Sequence, residues 1–216
     1  MIKLLRVDHR LLHGQVAMTW TQELDTNCIL IACDAVVKDD VRKTTLKLAR
    51  PAGVKLVIKS VDDSIEALRS GVTDKYRLFI VVESIEDAYR LAKGYSEIKH
   101  INIGGTKPRE GADVRLSSTV FATDRDVELL HELSDAGIEV EIRQVPRDEK
   151  ILIGSVRPGL TFRPVIFLRL HNGRPLSNLN PARGDAPETG RVARLALPFH
   201  ADLPANSPSP RRAPAS

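Results

Sequence analysis

Two arginines, an aspartate and two histidines crowd into Arg6-Val7-Asp8-His9-Arg10-Leu11-Leu12-His13-Gly14-Gln15-Val16. These residue types suit phosphoryl chemistry. A neutral imidazole is a good nucleophile near neutral pH, because its ordinary pKa is about 6.5. Moving a phosphoryl group asks mainly for positioning and charge neutralisation. Arg6 and Arg10 can make bidentate contacts to phosphate oxygens. Gly14 lets the backbone come close, Gln15 can donate from a neutral amide, and Asp8 can hold an arginine or orient an imidazole. His13 is the candidate catalytic residue. Arg6, Asp8, Arg10, Gly14 and Gln15 are the candidate phosphate-binding or supporting residues. On spacing alone a cap at a strand–helix turn is the commoner role for such a histidine. No nucleotide-binding loop accompanies the segment, so a phosphoryl group would have to come from another phosphoprotein.

The surrounding pattern supplies the elements that would position these groups. Ile2 to Val7 reads as a strand, and Val16 to Leu24 carries the Ala17, Trp20, Leu24 spacing of an amphipathic helix. His13 would then stand at a helix N-terminus, at the carboxyl edge of a strand, where open α/β folds bind ligands. Apolar strand runs follow at Cys28–Cys33, 54–58, 77–82 and 98–103, with helical periods at 39–49, 61–69, 84–94 and 124–136 between or after them. A short strand is expected over 117–121. The alternation of 138–142 suits an edge strand with one solvated face. The pattern predicts an α/β fold: an open, mostly parallel sheet with helices on both faces.

The composition, 42% hydrophobic and 28% charged, fits a soluble globular chain. No run is long enough to span a bilayer and no secretory signal is visible, so a cytoplasmic location is expected. Cys28 and Cys33 should point to opposite faces as buried small hydrophobes, and no metal site is expected. The pI of about 9.2 suggests nucleic acid until the charge is located. Residues 151–216 hold 9 of the 32 Lys+Arg and 3 of the 28 Asp+Glu, leaving 23 against 25 in residues 1–150. Ten of the 13 prolines also lie in the later part. Such a segment buries too little apolar surface to offset its ordering entropy, so residues 151–216 are expected to be an atypical, largely disordered tail behind a 1–150 domain. With its basicity assigned to the tail, the chain is not expected to bind nucleic acid.

The segment from Arg6 to Val16, with Trp20 after it, closely resembles the signature of the enzyme IIB component of the mannose/fructose/sorbose family of sugar phosphotransferase systems. Asp34, the 49–54 segment, Asn102-Ile103-Gly104-Gly105, Gly111 and the run from Gly137 to Val145-Pro146 extend the likeness over residues 1–150. His9 departs from it, standing where the family has an acidic or amide residue, and so does the ending after Pro146. The resemblance implies a protein-N(pi)-phosphohistidine–sugar phosphotransferase without cofactor. His13 would accept the group from phosphorylated enzyme IIA and pass it to a hexose held by the membrane components IIC and IID. It also implies a location at the inner face of the membrane through those components; a homo-oligomer is compatible with it. The rival from another class is a non-catalytic doubly wound regulatory domain that binds phosphate or a sugar phosphate.

Overall fold

The computed structural model describes residues 1–14 and 16–156; the expectations placed on Gln15 and on the tail beyond Val156 lie outside the described residues. Among the described residues nine strands form: β1 (Ile2–Asp8), β2 (Cys28–Ala32), β3 (Lys55–Lys59), β4 (Leu78–Val82), β5 (His100–Gly105), β6 (Val114–Arg115), β7 (Phe121–Ala122), β8 (Glu139–Ile142) and β9 (Ile151–Leu152). Seven of them make one sheet in the order β3-β2-β4-β1-β5-β8-β9, parallel throughout except for the last pair. β2 and β4 are buried along their whole length, which is why both are continuous apolar runs.

The helices are α1 (Thr21–Glu23), α2 (Asp34–Val37), α3 (Asp40–Leu48), α4 (Val61–Arg69), α5 (Ile85–Gly94) and α6 (Asp124–Asp135). Side-chain caps start four of them: Asp39, Ser60, Ser84 and Thr123 accept from backbone N–H groups three residues on. Thr123 and Asp126 complete a reciprocal capping box. Gly137, at φ +82°, ends α6 in the left-handed conformation that favours glycine. Side chains of β1 alternate between two cores. Leu5 and Val7 pack with Val61, Leu68, Ala88, Leu91, Leu130 and Leu133, so α4, α5 and α6 cover one face. Leu4 packs with Leu11, Trp20, Ile29, Val36, Leu46 and Phe79, so the segment after β1, with α2 and α3, covers the other.

The fold class expected from the sequence is therefore present, with local differences. The first helix is a π-helical stretch, Val16–Trp20, running into the short α1. The residues near 117–121 instead place a turn between the antiparallel pair β6 and β7. β8 is not an edge strand, because β9 pairs with it through Glu141↔Leu152 and Ile142↔Ile151. Folded structure thus runs past Lys150, where the composition changes: Ile153 is fully buried and Val156 nearly so. Cys28 and Cys33 are free and buried in opposite cores, as the alternation requires. Ile153→Ala should lower the unfolding free energy by about 2–4 kcal/mol, read from urea denaturation of the full chain. An unchanged midpoint would place the end of the cooperative core before β9.

Candidate functional site

Sequential movement along the sheet fixes where a crevice opens. From β1 the chain moves to β2 and β3 on one side, its helices on one face. It then returns through β4, β5 and β8 with its helices on the other. The loop after β1 and those after β4 and β5 therefore diverge to opposite faces, and the gap beside the end of β1 is the switch point of the sheet. The loop carrying His9, Arg10 and His13 occupies it.

Asp8 is the last residue of β1 and organises that loop. Its Oδ1 accepts the backbone N–H of Arg10 at 3.1 Å, and its carbonyl accepts the N–H of Leu11 at 2.8 Å. Leu11 is held at φ +55°, a left-handed conformation that costs a residue with a Cβ about 1–2 kcal/mol. Burial of Leu11 and Leu12 in the core holds the turn closed against that strain. His13 then accepts the Ala17 N–H at its carbonyl, 2.7 Å, which seats it at the start of the helical segment.

The His13 imidazole is partly open, with its side chain 21% exposed, and its Nε2 lies 3.3 Å from Asp8 Oδ2. Desolvation pushes its pKa below the ordinary histidine value, against the opposing pull of Asp8 and with Arg10 and Arg6 adding to the lowering. The shift favours the neutral ring. A carboxylate accepts hydrogen bonds and does not donate them, so Nε2 carries the proton and Nδ1 keeps its lone pair.

Arg6 departs from the role that its charge suggests. It is 1% exposed, donates from Nη2 to Asp8 Oδ2 at 2.9 Å and from Nη1 to Asn102 Oδ1, and lies 5.0 Å over the Trp20 ring. It supports Asp8 from inside the protein. Arg10 is open to solvent: its side chain is 52% exposed and its Nε stands 3.9 Å from Asp8 Oδ1. A Cβ built on Gly14 would meet nothing within 4 Å, so the protein's own packing leaves that side of the loop open. Gln15 lies outside the described residues. His9 bonds through its backbone N–H to the Gly105 carbonyl, 3.0 Å, while its Nδ1 is buried without a hydrogen-bond partner.

Sequence reasoning missed a row of polar groups across the sheet. Arg6, Asn102 and Glu141 are direct register partners on β1, β5 and β8, and all three are buried. Asn102 Nδ2 donates to Glu141 Oε1 and to the Arg143 carbonyl, each at 3.2 Å. Arg143 Nε donates to Glu141 Oε1 at 2.9 Å, and its guanidinium lies 5.2 Å from the Trp20 ring centre. Burial alone would raise the Glu141 carboxyl, but His100 and Arg143 against it bring it down to about 2. Lys150 completes the set, 2.7 Å from Glu139 and 3.4 Å from Glu141. The signal was a polar residue inside an apolar strand, Asn102 between Ile101 and Ile103. Gly104 leaves the space that the Arg6 guanidinium fills; a Cβ there would overlap it. Asp34 is elsewhere, accepting from Val61 N–H and pairing with Arg90. Arg109 is paired with Asp126.

Comparison with known proteins agrees with this geometry. Residues 2–156 match the family model described as the PTS system sorbose subfamily IIB component. A Streptococcus pyogenes protein named as a probable phosphotransferase enzyme IIB component is 32% identical over 161 residues, 72% of this chain and 99% of that one. The mannose-specific EIIAB component of Escherichia coli is 34% identical over 150 residues, 69% of this chain but 46% of the longer relative. The crystal structure of the IIBSor domain of the sorbose permease from Klebsiella pneumoniae superposes with a TM-score of 0.67 at 29% identity, covering 71% of this chain and 93% of that domain.

Two measurements check the site. Gly104→Ala should displace Arg6 and destabilise the chain by about 1–3 kcal/mol, seen as a lower denaturation midpoint with altered signals from the Trp20 indole. Titration of the His13 ring by NMR should give a midpoint below the ordinary value of about 6.5. The folded state then resists a proton that the unfolded chain accepts. His13 should begin to cost stability as pH falls through the unfolded value, and that cost should stop growing below the folded one. A midpoint above the ordinary value would mean that Asp8 outweighs desolvation.

Proposed function

The chain belongs to the sorbose-subfamily IIB components of the sugar phosphotransferase system, and from that membership we propose that it is a phosphocarrier whose transferred group rides on His13 Nδ1. What carries this reading is the His13–Asp8 pair. Asp8 takes the Nε2 side of the imidazole, which leaves Nδ1, on a ring 21% exposed, for the phosphoryl group.

The donor is a phosphohistidine on enzyme IIA. The Escherichia coli relative is named as a combined EIIAB component, which places an A component alongside a domain like this one. The Nδ1 lone pair attacks phosphorus, the bond between phosphorus and the donor nitrogen breaks, and the donor imidazole keeps that electron pair. His13 retains its Nε2 proton, and the positive charge that gathers on the ring meets the Asp8 carboxylate. Arg10 neutralises the phosphoryl oxygens from the solvent side, and the bare Gly14 leaves room for a bulky donor. In the second half-reaction a sugar hydroxyl attacks phosphorus and releases its proton to water, and Nδ1 recovers its lone pair.

Both partners must reach one loop, and the surface beside it suits a shared docking face: Met18, five positions past His13, is 54% exposed. The acceptor is a hexose-type sugar held by the membrane components IIC and IID. Among the described residues no helix is long and apolar enough to cross a membrane, so on this reading the chain works at the inner membrane face by docking to those components, and residues 1–156 form the phosphocarrier domain.

The test is phosphoryl uptake from phosphorylated IIA. Wild type should acquire acid-labile label, and a His13→Ala chain whose circular dichroism matches wild type should lose it. A folded wild type that takes no label yet binds inorganic phosphate equally well with and without His13 would favour the non-catalytic anion-binding domain instead.

A further inference from the structure

β3 is one edge of the main sheet, and on the face under α4 its side chains read Lys55, Val57, Lys59. The neighbouring strands carry apolar groups there: Cys28 is in register with Lys55 and Leu78, and Leu30 with Val57. α4 passes over this row with Ala67, which brings only a methyl group. A lysine can lay its stem along apolar surface but keeps its charge in water, so Lys55 and Lys59 do not fill the corner. What remains is a cavity of about 210 Å³, floored by Cys28, Leu30, Val57 and Leu78 and bordered by Ala67 and Tyr76. It lies on the sheet face opposite the one that the segment after β1 covers.

The charge around this hollow is one-sided. Lys55 Nζ donates to Tyr76 Oη at 2.9 Å and lies 5.0 Å from the centre of that ring, and Lys75 Nζ lies 5.4 Å from it. Lys59 adds a third ammonium to the lining. Among the described residues none of the three pairs with a carboxylate, whereas Lys43 and Lys150 do. Three unmatched cations beside an apolar floor complement a ligand with an apolar body and an anionic head. Size sets the body. At about 30 Å³ for each water-sized group the hollow takes about seven, and it falls short of the roughly 300–1,000 Å³ of drug-sized sites. A single short chain or one ring fits, and a helix or a two-chain lipid does not. We propose that the hollow between β3 and α4 binds a small amphiphilic carboxylate, its apolar body on the Cys28–Leu30–Val57–Leu78 floor and its head among Lys55, Lys59 and Lys75.

Octanoate, whose tail is about that length, is the probe. Titrated into the full 15N-labelled chain, it should shift the amide signals of β3, α4 and residues 72–78 along one saturable curve. Ala67→Leu, which fills the hollow from α4, should weaken binding about 10-fold. Replacing Lys55, Lys59 and Lys75 together by Gln leaves the floor intact and should weaken it about 5-fold, to the affinity that wild type shows for 1-octanol. The absence of saturable shifts overturns the proposal, and so do shifts confined to the loop after β1. Equal affinity for 1-octanol and octanoate overturns the anionic head, and a folded Ala67→Leu that binds like wild type overturns the place. Attachment to phosphatidylglycerol vesicles with no response to octanoate also overturns it, and would make the lysines a membrane-facing patch. Should Ala67→Leu fail to fold, the lysine variant and the alcohol are judged by the same titration.

Discussion

A buried carboxylate is costly, and the whole loop after β1 is arranged around one. Asp8 sits at the end of the central strand with its side chain 2% exposed, bearing a charge that water does not solvate. Its two oxygens are instead met by the Arg6 guanidinium, the Arg10 backbone N–H and the His13 ring. Removing one member of such a pair typically costs about 3–5 kcal/mol, because the other is stranded in a low dielectric. Arg6 has the same problem and meets it through Asn102, the Arg143 carbonyl and the face of Trp20. Each solution creates the next requirement, and the chain of requirements ends at Glu141, where His100, Arg143 and Lys150 lie near the protein surface.

Topology explains why this chain of charge lies where it does. On the β1–β5–β8 side of the sheet, one face packs under α5 and α6 while the other presents Arg6, Asn102 and Glu141 in register. The helices of that second face follow β1 and β2, and their apolar partners lie on β2, β4 and β1. Where those helices stop covering the sheet, polar side chains replace apolar ones, and Trp20 covers the two guanidinium groups at the border. The reactive loop stands where this polar band reaches the switch point of the sheet. Fold and site are thus two consequences of one strand order.

The parallel sheet and its two helical faces were legible because period and apolar runs report burial directly. His13 and Asp8 were legible because unusual residue types sit side by side in the chain. What the chain order hides is the third dimension. Arg6 reads as a phosphate ligand from its charge, yet register places it against Asn102, 96 residues away, and buries it. Glu139 and Glu141 read as the wet face of an edge strand. β9, arriving after a change of composition, turns that edge inward and leaves Glu141 fully buried. The π-helical turn at Val16–Trp20 also escaped the 3.6-residue pattern; it swings Trp20 over Arg6, a contact that periodicity does not encode.

On the function proposed above, His13 must be held in one geometry and still be presented to two large partners. The loop divides these tasks between its two sides. On the protein side nothing is free to move: Leu11 is strained into a left-handed turn, Leu11 and Leu12 are locked in the core, and Asp8 is bonded from three directions. On the solvent side Gly14 is bare and Arg10 is exposed, held only loosely by Asp8. Rigidity behind the ring supplies orientation without reorganisation at the moment of transfer, which is where an electrostatically assisted reaction gains most. Openness in front would, on that proposal, let one nitrogen serve a protein donor and a sugar acceptor in turn. A flexible loop would accommodate both partners equally well but would surrender the fixed relation between Asp8 and His13, and with it the distinction between the two nitrogens of the ring.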